Sequence, residues 1–79
     1  MLTSDQCRAA RALLNWTQSD LSKRVSISDV SIRAFEKGGA IRESNAVKIV
    51  AALEEAGITF IPENGAGAGV RLSKPKGNE

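Results

Sequence analysis

The sequence predicts a mainly α fold: a compact set of about four to five short helices with a C-terminal β-strand or hairpin extension. Three observations predict it. Ser, Thr and Asp residues repeatedly stand just ahead of short apolar stretches with helical spacing. Glycines close two of those stretches, at Gly38-Gly39 and at Gly57. After Gly57 the composition turns to β-branched and aromatic residues.

The first helix starts at Thr3 or Ser4, with Asp5 in its opening turn, and runs to about Leu14. Cys7, Ala10 and Leu14 recur on one side and form its inner face. Thr17 caps a brief second helix, with Asp20 at the third helical position of a capping-box-like pair and Leu21 and Val25 turned inward. "SIS" breaks it, and Ser28 caps a third helix, Asp29 to Lys37, that ends at the glycine pair. Ser44 is predicted to cap the fourth, whose inner stripe is Ala46, Ile49, Val50 and Leu53.

Ile58 to Pro62 reads as a strand, "ENGAGAG" as a turn-rich loop, and Val70 to Leu72 as a second short strand. A lone hairpin is marginal in water, so this one packs on the helices or pairs with the same segment of a second chain. The expected organisation is a helical domain over residues 1–57, a β extension over 58–73 and a disordered tail over 74–79.

Composition narrows the function. The 79 residues make one small domain, near the size at which a single core is only marginally stable and pairing with a copy is a common remedy. No apolar run approaches the roughly 20 residues of a membrane span, and the N-terminal stretch lacks the pattern of a signal peptide. A single cysteine, Cys7, fits a reducing, cytoplasmic setting. There is no His and no Tyr, and no Cys/His cluster to hold zinc; enzymatic activity, a metal and a cofactor are not expected. The net charge of +2 does not announce nucleic acid, but residues 1–53 hold eight Lys/Arg against five acids.

The third helix carries the informative irregularity. At about 100° per residue, Ile32 and Phe35 lie close together and form an ordinary core stripe, while Val30 points the opposite way beside Arg33, Ala34 and Lys37. Scattered exposed apolar residues are common, and Arg33 has Asp29 available at i−4 as a partner. The other reading is that this face is covered when the protein works.

Two short helices about three residues apart, the second bearing that valine, make the arrangement of a helix-turn-helix. The stretch "WTQSDLSKRVSISDVSIRAFEKG" resembles the core of the phage repressor and Cro superfamily, the xenobiotic-response-element type. The matching features are Gln18 opening the second helix, Leu21 and Val25, Ile27 in the turn, Ser28 as cap, Ile32 and Phe35, and the closing "EKG". With its flanking helices the resemblance covers about residues 4–56, and the tail "GITFIPENGAGAGVRL" resembles an extension of many small bacterial members. Ser26 departs from the family's frequent glycine at the first turn position.

The resemblance implies a sequence-specific regulator of transcription, a repressor or an activator, that places the third helix in the major groove of double-stranded DNA. Arg33 would read a guanine through its planar fork and Val30 would pack on a thymine methyl. Asp29 would accept from a cytosine amine or hold Arg33, and Ser28 and Ser31 would touch base or phosphate. Gln18, Lys37, Arg42 and Ser44 would meet the phosphate backbone. By family position Arg11 and Glu36 would form a structural ion pair. Two-fold pairing on a palindromic operator would make a homodimer, with Ile58, Phe60, Ile61, Val70 and Leu72 of the β extension as the dimer element. RNA polymerase or another regulator is the expected protein partner. Two other roles stay open: an antitoxin-like adaptor acting through protein contacts, and an architectural recombination factor on repeated sites.

Overall fold

A computed structural model of the chain describes residues 2–73, so the tail predicted over 74–79 lies outside the described residues. The order is α1 (Ser4–Leu14), α2 (Gln18–Val25), α3 (Asp29–Glu36), α4 (Glu43–Glu55), β1 (Ile58–Ile61) and β2 (Gly69–Leu72). The strands pair antiparallel, Ile58 opposite Leu72 and Ile61 opposite Gly69.

Local chemistry starts and stops the helices. Thr3 and Thr17 each close a full capping box, with Gln6 and Asp20 as the reciprocating side chains. Ser28 accepts from the Ser31 amide at 3.1 Å and caps α3. At the far end of α3 the Gly38 amide donates to the Phe35 carbonyl and the Gly39 amide to that of Ala34, the two bonds of a Schellman turn. Gly38 takes φ 105°, and a Cβ on Gly39 would stand 2.8 Å from the Ala34 oxygen, so both positions need glycine.

The fourth helix corrects the sequence reading. It begins at Glu43, one residue before Ser44, and its N-cap is Arg42, which makes no side-chain capping bond. Ser44 is thus an exposed first-turn residue and not a cap. Val50, predicted inside, is half-buried beside the fully buried Ala46, Ile49 and Leu53.

Leu21, Ile32, Ile49, Leu53 and Cys7 sit at the centre of the core, with Ala10, Phe35 and Ile27 around them. Burying such side chains contributes about 1.5–3 kcal/mol each and fixes how α2 and α3 cross. The hairpin lies against α1 and α4 of its own chain. Gln6, buried in α1, ties it down: its side-chain amide donates to the Gly69 carbonyl at 3.0 Å and to that of Ile61 at 3.4 Å, at the loop end of both strands. The loop between the strands is organised around Glu63, whose carboxylate accepts from the amides of Gly65 and Gly67. Ile58 is 3% exposed and belongs to the core of its own chain. Of the five residues expected at a dimer contact, Ile58 is thus the one whose side chain is taken up by its own core.

Candidate nucleic-acid interface

The site is built on α2, α3 and the tight turn between them. Ser26 opens that turn in the left-handed conformation, φ 57° and ψ 41°, where the family resemblance favours glycine. Its Cβ adds of order 1 kcal/mol of strain there. The turn is held by the Ser26 amide on the Ser22 carbonyl at 2.9 Å, by the Ser22 hydroxyl on the Ile27 carbonyl at 2.5 Å, and by burial of Ile27. These bonds close the angle between the helices within three residues.

With Ile32, Phe35 and Glu36 buried, the opposite side of α3 is left in solvent. Val30 is 63% exposed, and Arg33, Ala34 and Lys37 are exposed beside it. Among the described residues the ion pairs are Arg8–Asp5 and Arg11–Glu36, so Asp29 and Arg33 are not paired with each other. Among the described residues Arg33 has no ion-pair partner, and its guanidinium stands in solvent with five donors. Ser28 and Ser31 are exposed at the start of α3, the Ser28 hydroxyl donating to that of Ser31 at 3.0 Å. Arg42 and Ser44 are exposed at the start of α4.

Behind this face lies a buried polar cluster centred on Glu36, which is 3% exposed. Arg11 binds its carboxylate through two nitrogens, Nε to Oε2 at 2.8 Å and Nη2 to Oε1 at 2.6 Å. The Gln18 side-chain amide adds a bond to Oε1 at 3.1 Å, and the Cys7 thiol one to Oε2 at 3.1 Å. Arg8 donates to the Glu36 backbone carbonyl, and Arg11 Nη1 to the Trp16 carbonyl. Helices α1, α2 and α3 thus meet on one side chain.

Burial alone would raise the Glu36 carboxyl, but bonds from Arg11, Cys7 and Gln18 outweigh it and hold the group below the usual glutamate range. Burial first, and then the Glu36 carboxylate, push the Cys7 thiol far above its ordinary value. Cys7 is therefore a neutral hydrogen-bond donor and a poor nucleophile.

Two side chains bonded to the Glu36 carboxylate, and Gln6 beneath the hairpin, escape sequence reasoning. Cys7 was expected only as core, Gln18 as a phosphate contact, and Gln6 not at all. Their signal is a polar or thiol group on an inward helical position, which shows that a partner exists without naming it. Arg24, exposed on α2, stacks its guanidinium 4.2 Å from the centre of the Trp16 ring.

Two helices joined by a three-residue turn, the second with a free guanidinium and an apolar side chain on its outer face, define a helix-turn-helix protein. Residues 8–58 match the family described as helix-turn-helix, well over half of the chain. The chain belongs to that family, in its phage repressor and Cro type, and is a regulator that binds double-stranded DNA. No curated protein matches it. Among the described residues no helix is long and apolar enough to cross a membrane, and no group of His, Cys, Asp and Glu could hold a metal ion.

Proposed function

We propose that the protein acts as a homodimer on a palindromic operator, with α3 of each copy in the major groove. The observation that supports this best is the pairing of exposed Val30 with unpartnered Arg33, three residues apart on one face of α3. Arg33 bonds O6 and N7 of a guanine, and Val30 packs on the C5-methyl of a neighbouring thymine. Ser28, Asp29 and Ser31 line the leading end of the same helix. Lys37, Arg42, Ser44 and the N-terminal end of α2 at Gln18 meet phosphates and set the register. Gln18 then divides its role between Glu36 and the DNA.

One recognition helix makes too few contacts for tight binding, so two copies bind half-sites about 34 Å apart. Leu72, 45% exposed, and the half-buried Phe60, Ile61 and Val70 supply the dimer contact along the hairpin. Control follows from occupancy of the operator, by blocking or recruiting RNA polymerase. The test is selection of binding sites from random duplexes, followed by sedimentation of the protein alone and on the selected DNA. Enrichment of inverted half-sites containing guanine beside thymine, bound by two copies, supports the reading. Direct repeats would move it to an architectural role. A Leu72→Glu chain that stays dimeric removes the hairpin from the dimer contact; deletion after Gly57 is unsuitable, because it strips Ile58 from the core.

A further inference from the structure

Helix α4 has two apolar stripes, and the core uses only one. Ala46, Ile49 and Leu53 are buried. Val47 and Ala51 lie exposed on an adjacent stripe, with Val47 at 61%, and Val50 is half-buried between them. This second stripe forms one wall of an apolar groove whose other wall is Leu2. A neighbouring hollow, which shares Leu2 and Val50 with this groove, lies over Phe60 and Pro62 of the hairpin. Scattered exposed valines are ordinary, whereas one inside a continuous apolar groove marks a contact surface.

The charges around the groove select what fits it. In a chain of net charge +2, the charged residues lining it are all acidic: Glu43 and Glu54 on α4, and Glu63 beyond. Glu43 and Glu54 stand at the two ends of the stripe, about 16 Å apart at about 1.5 Å per residue. Neither belongs to an ion pair among the described residues. An acidic rim repels phosphate, so the groove is neither an extension of the DNA face nor a seat for an anionic bilayer. A two-fold contact with a second copy would set the glutamates of one stripe against those of the other, which is unfavourable.

We propose that this groove docks a helix of a different protein, one that carries apolar side chains between two cations spaced about three helical turns apart. No outward residue of α3 lines the groove, so a partner docked there leaves the outer face of α3 uncovered, while Glu43 at the groove's end stands between Arg42 and Ser44. The inference does not rest on the DNA reading.

The test is a methyl and amide NMR titration of the full chain with a synthetic helical peptide. The peptide has leucines at helical spacing and a lysine at each end, eleven residues apart like the two glutamates. A control peptide carries glutamates in place of the lysines. The expected result is saturable shifts at Val47, Val50 and Ala51 with the lysine peptide only. Val47→Glu, at an exposed position, should weaken that binding at least about tenfold without changing DNA affinity. A chain with both Glu43→Lys and Glu54→Lys should prefer the glutamate peptide. Absence of saturable shifts, or equal binding of both peptides, overturns the proposal. So does a wild-type dimer that Val47→Glu turns into a monomer, which would assign the groove to a second copy.

Discussion

Helix α3 carries charge on both of its faces and treats it in opposite ways. Inward, the Glu36 carboxylate is almost sealed from water and takes hydrogen bonds from Arg11, Gln18 and Cys7, on two other helices. Outward, the same helix holds Val30 and Arg33 in solvent, and among the described residues Arg33 has no ion-pair partner. A buried charge must be bonded on every side, since each missing partner is a desolvated group left alone. A charge that is to read a ligand must be left unbonded, so its donors are free when the ligand arrives. The difference separates the residues that hold the domain together from those that the proposed DNA reading would use.

The separation can be broken most directly at Arg11. Arg11→Ala leaves Glu36 buried without its cation, and the expected loss is about 3–5 kcal/mol of folding stability. For a domain of this size, that lowers the melting temperature by more than about 10 °C, read by circular dichroism or Trp16 fluorescence. Loss of DNA binding should follow only as unfolding sets in. An unchanged melt would remove the ion pair from the stability of the fold.

The outer face should give the converse. Arg33→Ala is expected to lower discrimination between cognate and scrambled duplexes by about 1–3 kcal/mol in fluorescence anisotropy at fixed salt. The melting curve should stay within about 0.5 kcal/mol of wild type. An Arg33→Ala protein that melts as early as Arg11→Ala would show that both faces of α3 are structural.

Acid sharpens the comparison on the inner face alone. The folded Glu36 carboxyl lies below its unfolded value, so its contribution is fully present above the unfolded range near pH 4.3 and is lost as pH falls through the folded value. Stability against urea should therefore fall below about pH 4.5. Glu36→Gln should start less stable and show a shallower fall. A variant with the same slope as wild type would place the titrating group elsewhere.

The smallest effect lies in the turn that joins the two functional helices. Ser26→Gly removes the left-handed strain of a residue with a Cβ but adds entropy to the unfolded chain, for a net gain of under about 1 kcal/mol. DNA affinity should not move, because Ser26 has no place on the reading face. A loss of stability would mean that the strain is already relieved by the Ser22 bonds around it.

Much of the fold was legible before any contact was known. Thr3, Thr17 and Ser28 announced three helix starts because a cap is made within four residues of chain, and the glycine pair announced the end of α3 for the same reason. Ser44 misled because a serine ahead of an apolar run looks the same whether it caps the helix or stands one residue inside it. Only the path of the loop decides, and it begins α4 at Glu43. The outward phase of Val30 was legible too, since it follows from about 100° per residue and a core stripe through Ile32 and Phe35.

By itself, then, the sequence determined the order of the helices and strands, to within a residue or two at their ends, and which side of α3 carries Val30 and Arg33, because caps, glycines and periodicity act over one or two turns. The tertiary structure alone decided that Gln18 and Cys7 share Glu36 with Arg11, that Gln6 ties the hairpin to α1, and that Ile58 serves its own core. It also decided that Leu2 and Val50 join two neighbouring hollows, one beside Val47 and one beside Phe60. These are meetings between residues far apart in the chain. A polar side chain on an inward position must find a partner, but which one is set by how the helices cross, and that angle is fixed by the packing of the whole core.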